Sequence, residues 1–480
     1  MTRPGSSDPV MNGKGLMGAA ALILAAGEGT RMKSKLPKVA HRILGVPMVA
    51  YVVAAAREGG CAEIAVVTGH AAEVVESLLD GVAYVRQTEQ LGTGHAVMCA
   101  RDAFAHIDGS LVVLSGDSPL LRAETIRRLV AARESENAAV AVLTTHLADP
   151  TGYGRILRGS DGSLDAIVED KDLASGQREI TEVNTGTYCF DARVLFEHLD
   201  RLGNNNAQAE YYLTDMVAVF RAEGLGVADL VTDEPEETLG VNSRVQLAEA
   251  SDTLQKRINR IHMLAGVTMT DPDLVWIAPG VTIGTDTVLE PMTFLLGDTH
   301  VAEECHIGPD SRLTDSRVDR GATVDSSILI GAVVGEGSVV GPRAFLRPGT
   351  VLGKGAKAGT SVEIKNSTVG DGSKVPHLSY IGDATIGIGA NIGAGTITCN
   401  YDGARKHATV IGDGAFIGSD TMLIAPVTVG DGAITAAGSA IAHDVPADAL
   451  GIERCDQRAV EGWARKQRAK RERDGDVKER

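Results

Sequence analysis

Three groups of residues in this chain have types and spacings suited to chemistry. The first is Leu24-Ala25-Ala26-Gly27-Glu28-Gly29-Thr30-Arg31, which runs on to Pro37-Lys38. Gly27 and Gly29 let backbone N–H groups come close to a phosphate, and Arg31 and Lys38 could neutralise its charge. No GK[ST] follows the glycines, so this is not a P-loop, and Met32 stands where a dinucleotide fingerprint has its third glycine. Taken alone, such a turn is equally well explained as a tight strand-to-helix connection. The second group is Asp117, which closes the apolar run Leu111-Val-Val-Leu-Ser-Gly-Asp117. A carboxylate at a strand's carboxyl edge beside a phosphate loop suits Mg²⁺. Ser118-Pro119 follow, so a cap or turn role is the alternative, and the glycine loop favours the metal. The third group is His377 in Val375-Pro376-His377-Leu378-Ser379-Tyr380, on a stretch otherwise of Gly, Ala, Ile and Val. Arg347, Lys365, Tyr380, Asn391 and Asn400-Tyr401 recur around it. Arg347 and Lys365 are 18 residues apart. Two adjacent cations on one face call for an anion between them, such as a sugar phosphate, unless both are simply solvated. His377 has a side chain fit for a general base near neutral pH, with Glu363 a candidate to orient it.

The elements that must hold these residues differ between the halves. Residues 19–242 alternate apolar strand candidates (Ala20–Leu24, Ile64–Thr68, Leu111–Leu114, Ala139–Leu143) with helical stretches such as Met48–Glu58 and Ala123–Glu134. That pattern predicts an α/β, Rossmann-like fold with a mainly parallel sheet and ligands at the strands' carboxyl ends. Residues 243–265 carry no Gly or Pro and predict a helical connector with Ser243 as its cap.

From Ile277 a branched aliphatic residue recurs every sixth position: Ile283, Leu289, Leu295, Val301, Ile307 and Leu313. The beat returns at Val340, Leu346 and Leu352, and at Ile411, Ile417, Leu423 and Val429. A period of six fits neither a helix nor an amphipathic strand and marks a parallel β-helix of hexapeptide repeats, about 18 residues per coil. Glycines near each aliphatic residue are expected to turn the corners. The spacing slips to five at Ile364–Val369 and Ile381–Ile386 and breaks after Thr398, so a site is expected where the count fails. The expected units are an N-terminal extension (1–18), an α/β domain (19–242), the connector (243–265), the β-helix (266–455) and a charged, mobile tail (456–480).

A chain of 480 residues exceeds one ordinary core. Its net charge of −17 argues against a nucleic-acid-coating role. The six cysteines are scattered without a CxxC pair, which argues against a zinc site or a disulfide framework. There is no apolar run long enough to cross a membrane and no signal-peptide core, so a cytoplasmic protein without membrane or nucleic-acid partners is expected.

The string from Gly27 to Lys38 resembles the Gly-x-Gly-Thr-Arg-Met…Pro-Lys signature of sugar-1-phosphate nucleotidyltransferases. With Gln87-Thr-Glu-Gln-Leu-Gly92-Thr93, Ser115-Gly116-Asp117, Gly154, Glu169, Asn184 and Gly240-Val-Asn242, and with the hexads, nearly the whole chain from Ala20 to Arg454 resembles one family. That family comprises the bifunctional bacterial enzymes that acetylate glucosamine 1-phosphate and uridylylate N-acetylglucosamine 1-phosphate.

The resemblance implies a left-handed β-helix and Mg²⁺ held by Asp117 and Asn242. Arg31 and Lys38 would act on the phosphates, and Gln87, Gly92 and Thr93 would read the uracil. Gly154, Glu169 and Asn184 would hold the sugar, and Leu24, Ala25, Ala26, Gly27, Ser115 and Gly116 would complete the UTP site. It further implies sugar-phosphate contacts from Arg347, Lys365, Tyr380 and Asn391, with His377 as base. Acetyl-CoA contacts would come from Ala394, Asn400, Tyr401, Ser419, Ala437 and Arg454, with an oxyanion donor near Ala394 or Tyr401. A homotrimer supplying cell-wall precursors is the implied setting.

Overall fold

The computed structural model describes residues 18–473. The expected extension therefore lies outside the described residues except for Gly18. The chain divides into two compact units, Met1–Arg260 and Ile261–Arg480.

In the first unit seven strands form the main sheet in the order Val227–Thr232, Val140–His146, Glu182–Asp191, Ser110–Ser115, Ala19–Leu24, Cys61–Thr68, Ala83–Arg86. The sheet is mixed. Glu182–Asp191 runs antiparallel to both neighbours, while Ala19–Leu24 runs parallel to the strands on either side. Strand pleating sends alternate residues to opposite faces. Ala20 and Leu22 enter one core with Leu111, Val113, Phe190 and Phe220, and Ala21 and Ile23 enter another with Val112 and Leu114. Helix Met48–Glu58 buries Val49, Val52, Val53 and Ala56, one stripe at helical spacing, in the second core. Helix Asp215–Ala222 closes the first core with Met216, Val217 and Phe220. These cores fix the strand edges from which the nucleotide loops project.

Helix Arg244–Leu264 occupies the expected connector. Ser243 Oγ accepts from Gln246 N at 3.2 Å, and Gln246 Oε1 accepts from Asn242 N at 2.9 Å. The start of the helix thus pins the backbone of Asn242.

The second unit is a left-handed parallel β-helix of hexapeptide repeats with three parallel sheets of eleven, ten and nine strands. Each strand pairs with the strand one coil on, as Phe345 with Glu363 and Glu363 with Tyr380. The hexad aliphatics point inward and are almost fully buried, Leu289, Leu295, Ile307, Leu346, Ile417 and Val429 all at 0% exposure. Ile283, on the first strand of its sheet, is half-buried.

Two expectations need correction here. The five-residue slips do not single out a site: buried Leu313 and Val318, and Leu329 and Val334, are also five apart, on coils that carry none of the candidate residues. Nor are the corners turned by glycine alone. Asp315, Asn366, Leu378 and Asp383 all take positive φ, because short polar side chains tolerate the left-handed region and tertiary pairing holds Leu378 there. Part of the tail expected to be mobile is an exposed helix, Trp463–Arg473. Among the described residues no helix is long and apolar enough to cross a membrane.

Candidate functional sites

In the first unit a cavity of ≈ 310 Å³ opens at the carboxyl ends of the strands. Leu24, Ala25, Ala26, Gly27, Lys38, Gln87, Gly92, Thr93, Ser115 and Asp117, all expected there, line it. The sheet register brings them together: Leu24 sits opposite Ser115, and Gly116 N donates to Leu24 O at 2.9 Å. Gln87 N is held by Thr68 O at 2.8 Å, and the Gln90 amide donates to Ala26 O at 2.9 Å. Gly29 adopts φ 65°, and a Cβ there would lie 2.5 Å from Lys38 Cβ, so the loop closes on Lys38 only with glycine. Gly92 has φ 104°, and its Cβ would meet Tyr211 O at 2.6 Å. That close approach lets Gly94 N bond Tyr211 O and brings Glu210 to the cavity wall.

Lys38 is the polar centre. Its ammonium donates to Asn242 Oδ1 at 2.9 Å and ion-pairs with Asp117. Pro37 is buried just ahead of the short turn Lys38–Ala40. Gly154, Glu169 and Asn184 do not line the cavity but stand together. Asn184 N bonds Gly154 O at 2.9 Å, and a Cβ on Gly154 would lie 3.6 Å from Glu169 Oε2. Asn184 Nδ2 donates to the buried Tyr188 hydroxyl at 2.8 Å. Burial pushes the Glu169 carboxyl above its ordinary range, against a hydrogen bond from Thr214, and Asp215, Asp172 and Glu210 push the same way as burial.

Arg31 stands outside the cavity wall. It lies exposed on the turn Thr30–Met32 and does not line the cavity, because buried Met32 anchors the turn and directs Arg31 to solvent. Glu210, Gln90, Val39 and Ala96 line the cavity without having been anticipated. Glu210 arrives through the pairing of residues 91–94 with 211–213, which no local pattern announces.

In the β-helix two groups form at opposite ends of one row of strands. At the first, Thr360 is level with His377, and Lys374 with Asn391. Counting three residues on from Lys374 and Asn391 brings His377 level with Ala394. Asp420 N then bonds Ala394 O at 2.7 Å, Gly438 N bonds Ser419 O at 2.8 Å, and Arg454 Nη1 bonds Ala437 O at 3.1 Å. His377, Ala394, Ser419, Ala437 and Arg454 therefore form one column along a corner. His377 is exposed.

At the other end Arg347 N bonds Ile364 O, which sets Arg347 level with Lys365 on the next coil. The loop after Cys399 folds back through the Tyr401–Lys406 bridge and adds Lys406. Lys406 first, then desolvation and Arg347, hold the Lys365 ammonium below its ordinary pKa. Asn400 donates to Asp383 at 2.5 Å and so sits with these cations, not with the corner column. Tyr401 is 61% exposed, and its hydroxyl bonds Gly403 O. Tyr380 stacks on Glu363, two positions from the Lys365 row. Asn391 lies on a different face, between Lys374 and Phe416.

The expected orienting role of Glu363 is not observed. Its carboxylate accepts from Arg347 at 2.8 Å, because both side chains project outward from adjacent coils two positions apart. Among the described residues none hydrogen-bonds the His377 imidazole. Lys406 was not anticipated, since it lies 41 residues from Lys365, outside any coil spacing.

Comparison with known proteins accounts for both halves. A MobA-like NTP transferase domain model matches residues 21–202, and a bacterial transferase hexapeptide model matches residues 408–443. The bifunctional protein GlmU of Heliobacterium modesticaldum is 50% identical over 445 residues, 92% of this chain and 97% of the relative. The chain belongs to the GlmU family. GlmU of Halalkalibacterium halodurans is 49% identical over 93% of this chain and 98% of its own length. GlmU of Streptomyces coelicolor is 49% identical over 94% and 95% respectively. Family membership makes the chain a bifunctional transferase, with a nucleotidyltransferase unit and a hexapeptide acyltransferase unit.

Proposed function

We propose that this chain carries out two successive steps of UDP-N-acetylglucosamine synthesis and so supplies precursors of peptidoglycan and lipopolysaccharide-type polymers. The β-helix acetylates glucosamine 1-phosphate with acetyl-CoA. The α/β unit then transfers UMP from UTP to N-acetylglucosamine 1-phosphate. The observation that carries this reading is that one chain holds both the Lys38–Asp117–Asn242 cluster beside a cavity and the His377 column on a solenoid corner.

In uridylyl transfer a phosphate oxygen of the sugar phosphate attacks the α-phosphorus of UTP, the bond to the β-phosphate oxygen breaks, and pyrophosphate leaves. No covalent enzyme intermediate is required, so the residues position and neutralise. Lys38 and Arg31 act on phosphate charge, and Leu24–Gly27, Ser115 and Gly116 frame it. Gln87, Gly92 and Thr93 meet the uracil, and Gly154, Glu169 and Asn184 meet the sugar. What supports Asp117 and Asn242 as Mg²⁺ ligands is that their oxygens already converge on a single cation, the Lys38 ammonium. Two protein oxygens with the remaining positions left to phosphate and water suit that ion. When bound, Mg²⁺ supplies charge neutralisation on the phosphates.

In acetyl transfer the 2-amino nitrogen attacks the thioester carbon, the C–S bond breaks, and CoA leaves as thiol. His377 takes the amine proton and passes it to the departing sulfur, and its column with Ala394, Ser419, Ala437 and Arg454 supports acetyl-CoA lying along that corner. Asn400 and Tyr401, which sit with the cations in their own chain, reach the same ligand on a neighbouring copy. Arg347, Lys365, Tyr380 and Asn391 hold the sugar phosphate. The separation of Asn391 and His377 from the cations within one chain supports sites completed by a neighbouring copy. The exposed apolar row Phe416, Ile434 and Leu450 supports a homotrimer that would cover it. UTP and acetyl-CoA point to a cytoplasmic setting.

Incubation with glucosamine 1-phosphate, acetyl-CoA, UTP and Mg²⁺ tests the reading. Free CoA thiol, pyrophosphate and UDP-N-acetylglucosamine are expected, and CoA release without pyrophosphate would refute the second step.

A further inference from the structure

Gln87 lines the nucleotide cavity, yet its amide is held from behind. Its Nε2 donates to Gly92 O at 3.1 Å and lies 3.1 Å from His95 Nδ1. A carbonyl oxygen only accepts, so the contact with Gly92 requires the amide nitrogen, not the amide oxygen, on that side. With one Nε2 hydrogen on Gly92, the other points at His95 Nδ1, which must accept it. The imidazole therefore carries its proton on Nε2, and Nε2 faces Cys99 Sγ at 3.9 Å, one turn along helix Thr93–Cys99. The ring also lies beside Tyr211, centroids 6.5 Å apart and tilted by 33°. Both Nε2 hydrogens of Gln87 are committed, and among the described residues none donates to its Oε1. The free acceptor is what Gln87 offers to a ligand in the cavity.

We propose that His95 is a positioning residue for base selection: its Nδ1 holds the Gln87 amide so that the site takes a nucleobase with an imide N–H, as uracil has, and disfavours cytosine. The proposal rests on the uridylyl-transfer reading above. Uracil N3–H donates to Gln87 Oε1, whereas cytosine N3 is an acceptor and would face another acceptor. A buried polar wall that matches one partner and leaves the other unpaired discriminates strongly. Without the His95 acceptor the amide loses one of its two restraints and can turn its nitrogen to the cavity.

The test uses the full chain with Mg²⁺ and compares kcat/KM for UTP and CTP in nucleotidyl transfer. In His95→Leu the UTP-over-CTP ratio is expected to fall at least about tenfold, mainly through KM for UTP, the effect of losing one oriented hydrogen bond. Acetyl transfer is expected to stay unchanged. His95→Asn, whose Oδ1 can accept in place of Nδ1, should recover most of the ratio. A ratio unchanged in His95→Leu overturns the proposal, as does an equal loss of kcat with both nucleotides in both variants, which would mark His95 as merely structural. Should His95→Leu fail to fold, the ¹⁵N imidazole resonances that vanish in His95→Asn report the tautomer in the unaltered protein. A proton on Nε2 is expected, and a proton on Nδ1 overturns the proposal. An unaltered chain that transfers from neither nucleotide would instead sink the uridylyl-transfer reading and the His95 role with it.

Discussion

Lys38 Nζ donates to Asn242 Oδ1 at 2.9 Å across 204 residues of sequence, tying the first loop of the nucleotidyltransferase unit to its last. The same ammonium pairs with Asp117, and the two side chains are only 17% and 15% exposed. Lys38 thus serves as counter-cation where a divalent ion is proposed to sit. Binding of that ion and the nucleotide would release Lys38 toward phosphate. Lys38→Ala should lower uridylyl transfer by roughly 10²–10³-fold, the usual loss for one preorganised charge-stabilising group. Acetyl transfer should be unaffected. The variant also leaves Asp117 without its cation, a cost of about 1–3 kcal/mol in the absence of metal. Thermal melts should show a loss that shrinks on adding Mg²⁺, and equal losses with and without Mg²⁺ would contradict the shared-cation reading.

Chelation should separate the two activities. With Asp117 and Asn242 as protein ligands, EDTA should stop pyrophosphate release while CoA thiol continues to appear at its former rate. The β-helix groups that would meet acetyl-CoA include no comparable oxygen pair sharing a cation. Loss of both activities, or of neither, would count against assigning the metal to this pair.

His377 lies level with Ala394 at the head of the corner column, which places an exposed imidazole beside the proposed thioester. His377→Ala should reduce acetyl transfer by about 10²–10⁴-fold, the usual worth of a general base. Uridylyl transfer should not change. Because Glu363 pairs with Arg347 at 2.8 Å, Glu363→Gln should alter KM for glucosamine 1-phosphate and leave the pH profile of acetylation in place. A shifted pH profile would return Glu363 to the role of orienting His377.

Some of this was legible in the sequence and some was not, for physical reasons. The hexad aliphatics announced the β-helix because a stacked coil demands an inward residue at a fixed step, and Leu295, Ile307 and Ile417 obey it. The cavity walls from Leu24 to Gly27 and at Ser115 and Asp117 were legible because strand ends carry their own composition. Glu210 was not, since it reaches the cavity only through tertiary pairing with residues 91–94. Glu363 was misread because counting along coils ranks residues by level but does not say which outward neighbours meet. The five-residue slips were misread for a similar reason: a corner loses a residue at Asp315 and Gly331, which carry no candidate chemistry, just as at Asn366 and Asp383, all four with positive φ.

Lys406 is the residue the coil count hid, because 25 residues rather than 17 separate its coil from the previous one, as Ala384 pairs with Thr409. The loop places a third cation beside Lys365 and Arg347, and Lys406 is the first cause of the lowered Lys365 pKa. A phosphate bound among the three would relieve that repulsion. Lys406→Ala should raise KM for glucosamine 1-phosphate about tenfold with little change in kcat, since the charge acts on ground state and transition state alike. Steady-state kinetics of acetyl transfer check it, and an unchanged KM would remove Lys406 from the phosphate site.

Glu169 offers a test of the sugar site through pH. Burial raises its carboxyl pKa, and Asp215 is raised in the same way, by burial and then by Asp172. A raised folded pKa means that the folded state holds the proton more tightly than the unfolded chain. The benefit is therefore full below the unfolded value of about 4.3 and is lost as pH rises through the folded value. At neutral pH the charged carboxylate is kept at a cost to stability, which Glu169→Gln would remove. The variant should melt about 2–4 °C higher at pH 7, as expected for roughly 1 kcal/mol in a unit of this size, and should match the unaltered chain near pH 4. KM for N-acetylglucosamine 1-phosphate should rise at the same time, because the carboxylate that costs stability is the one proposed to hold the sugar. Melting curves at the two pH values decide the first point and uridylyl-transfer kinetics the second. An equal shift at both pH values would show that the gain comes from packing and not from the charge.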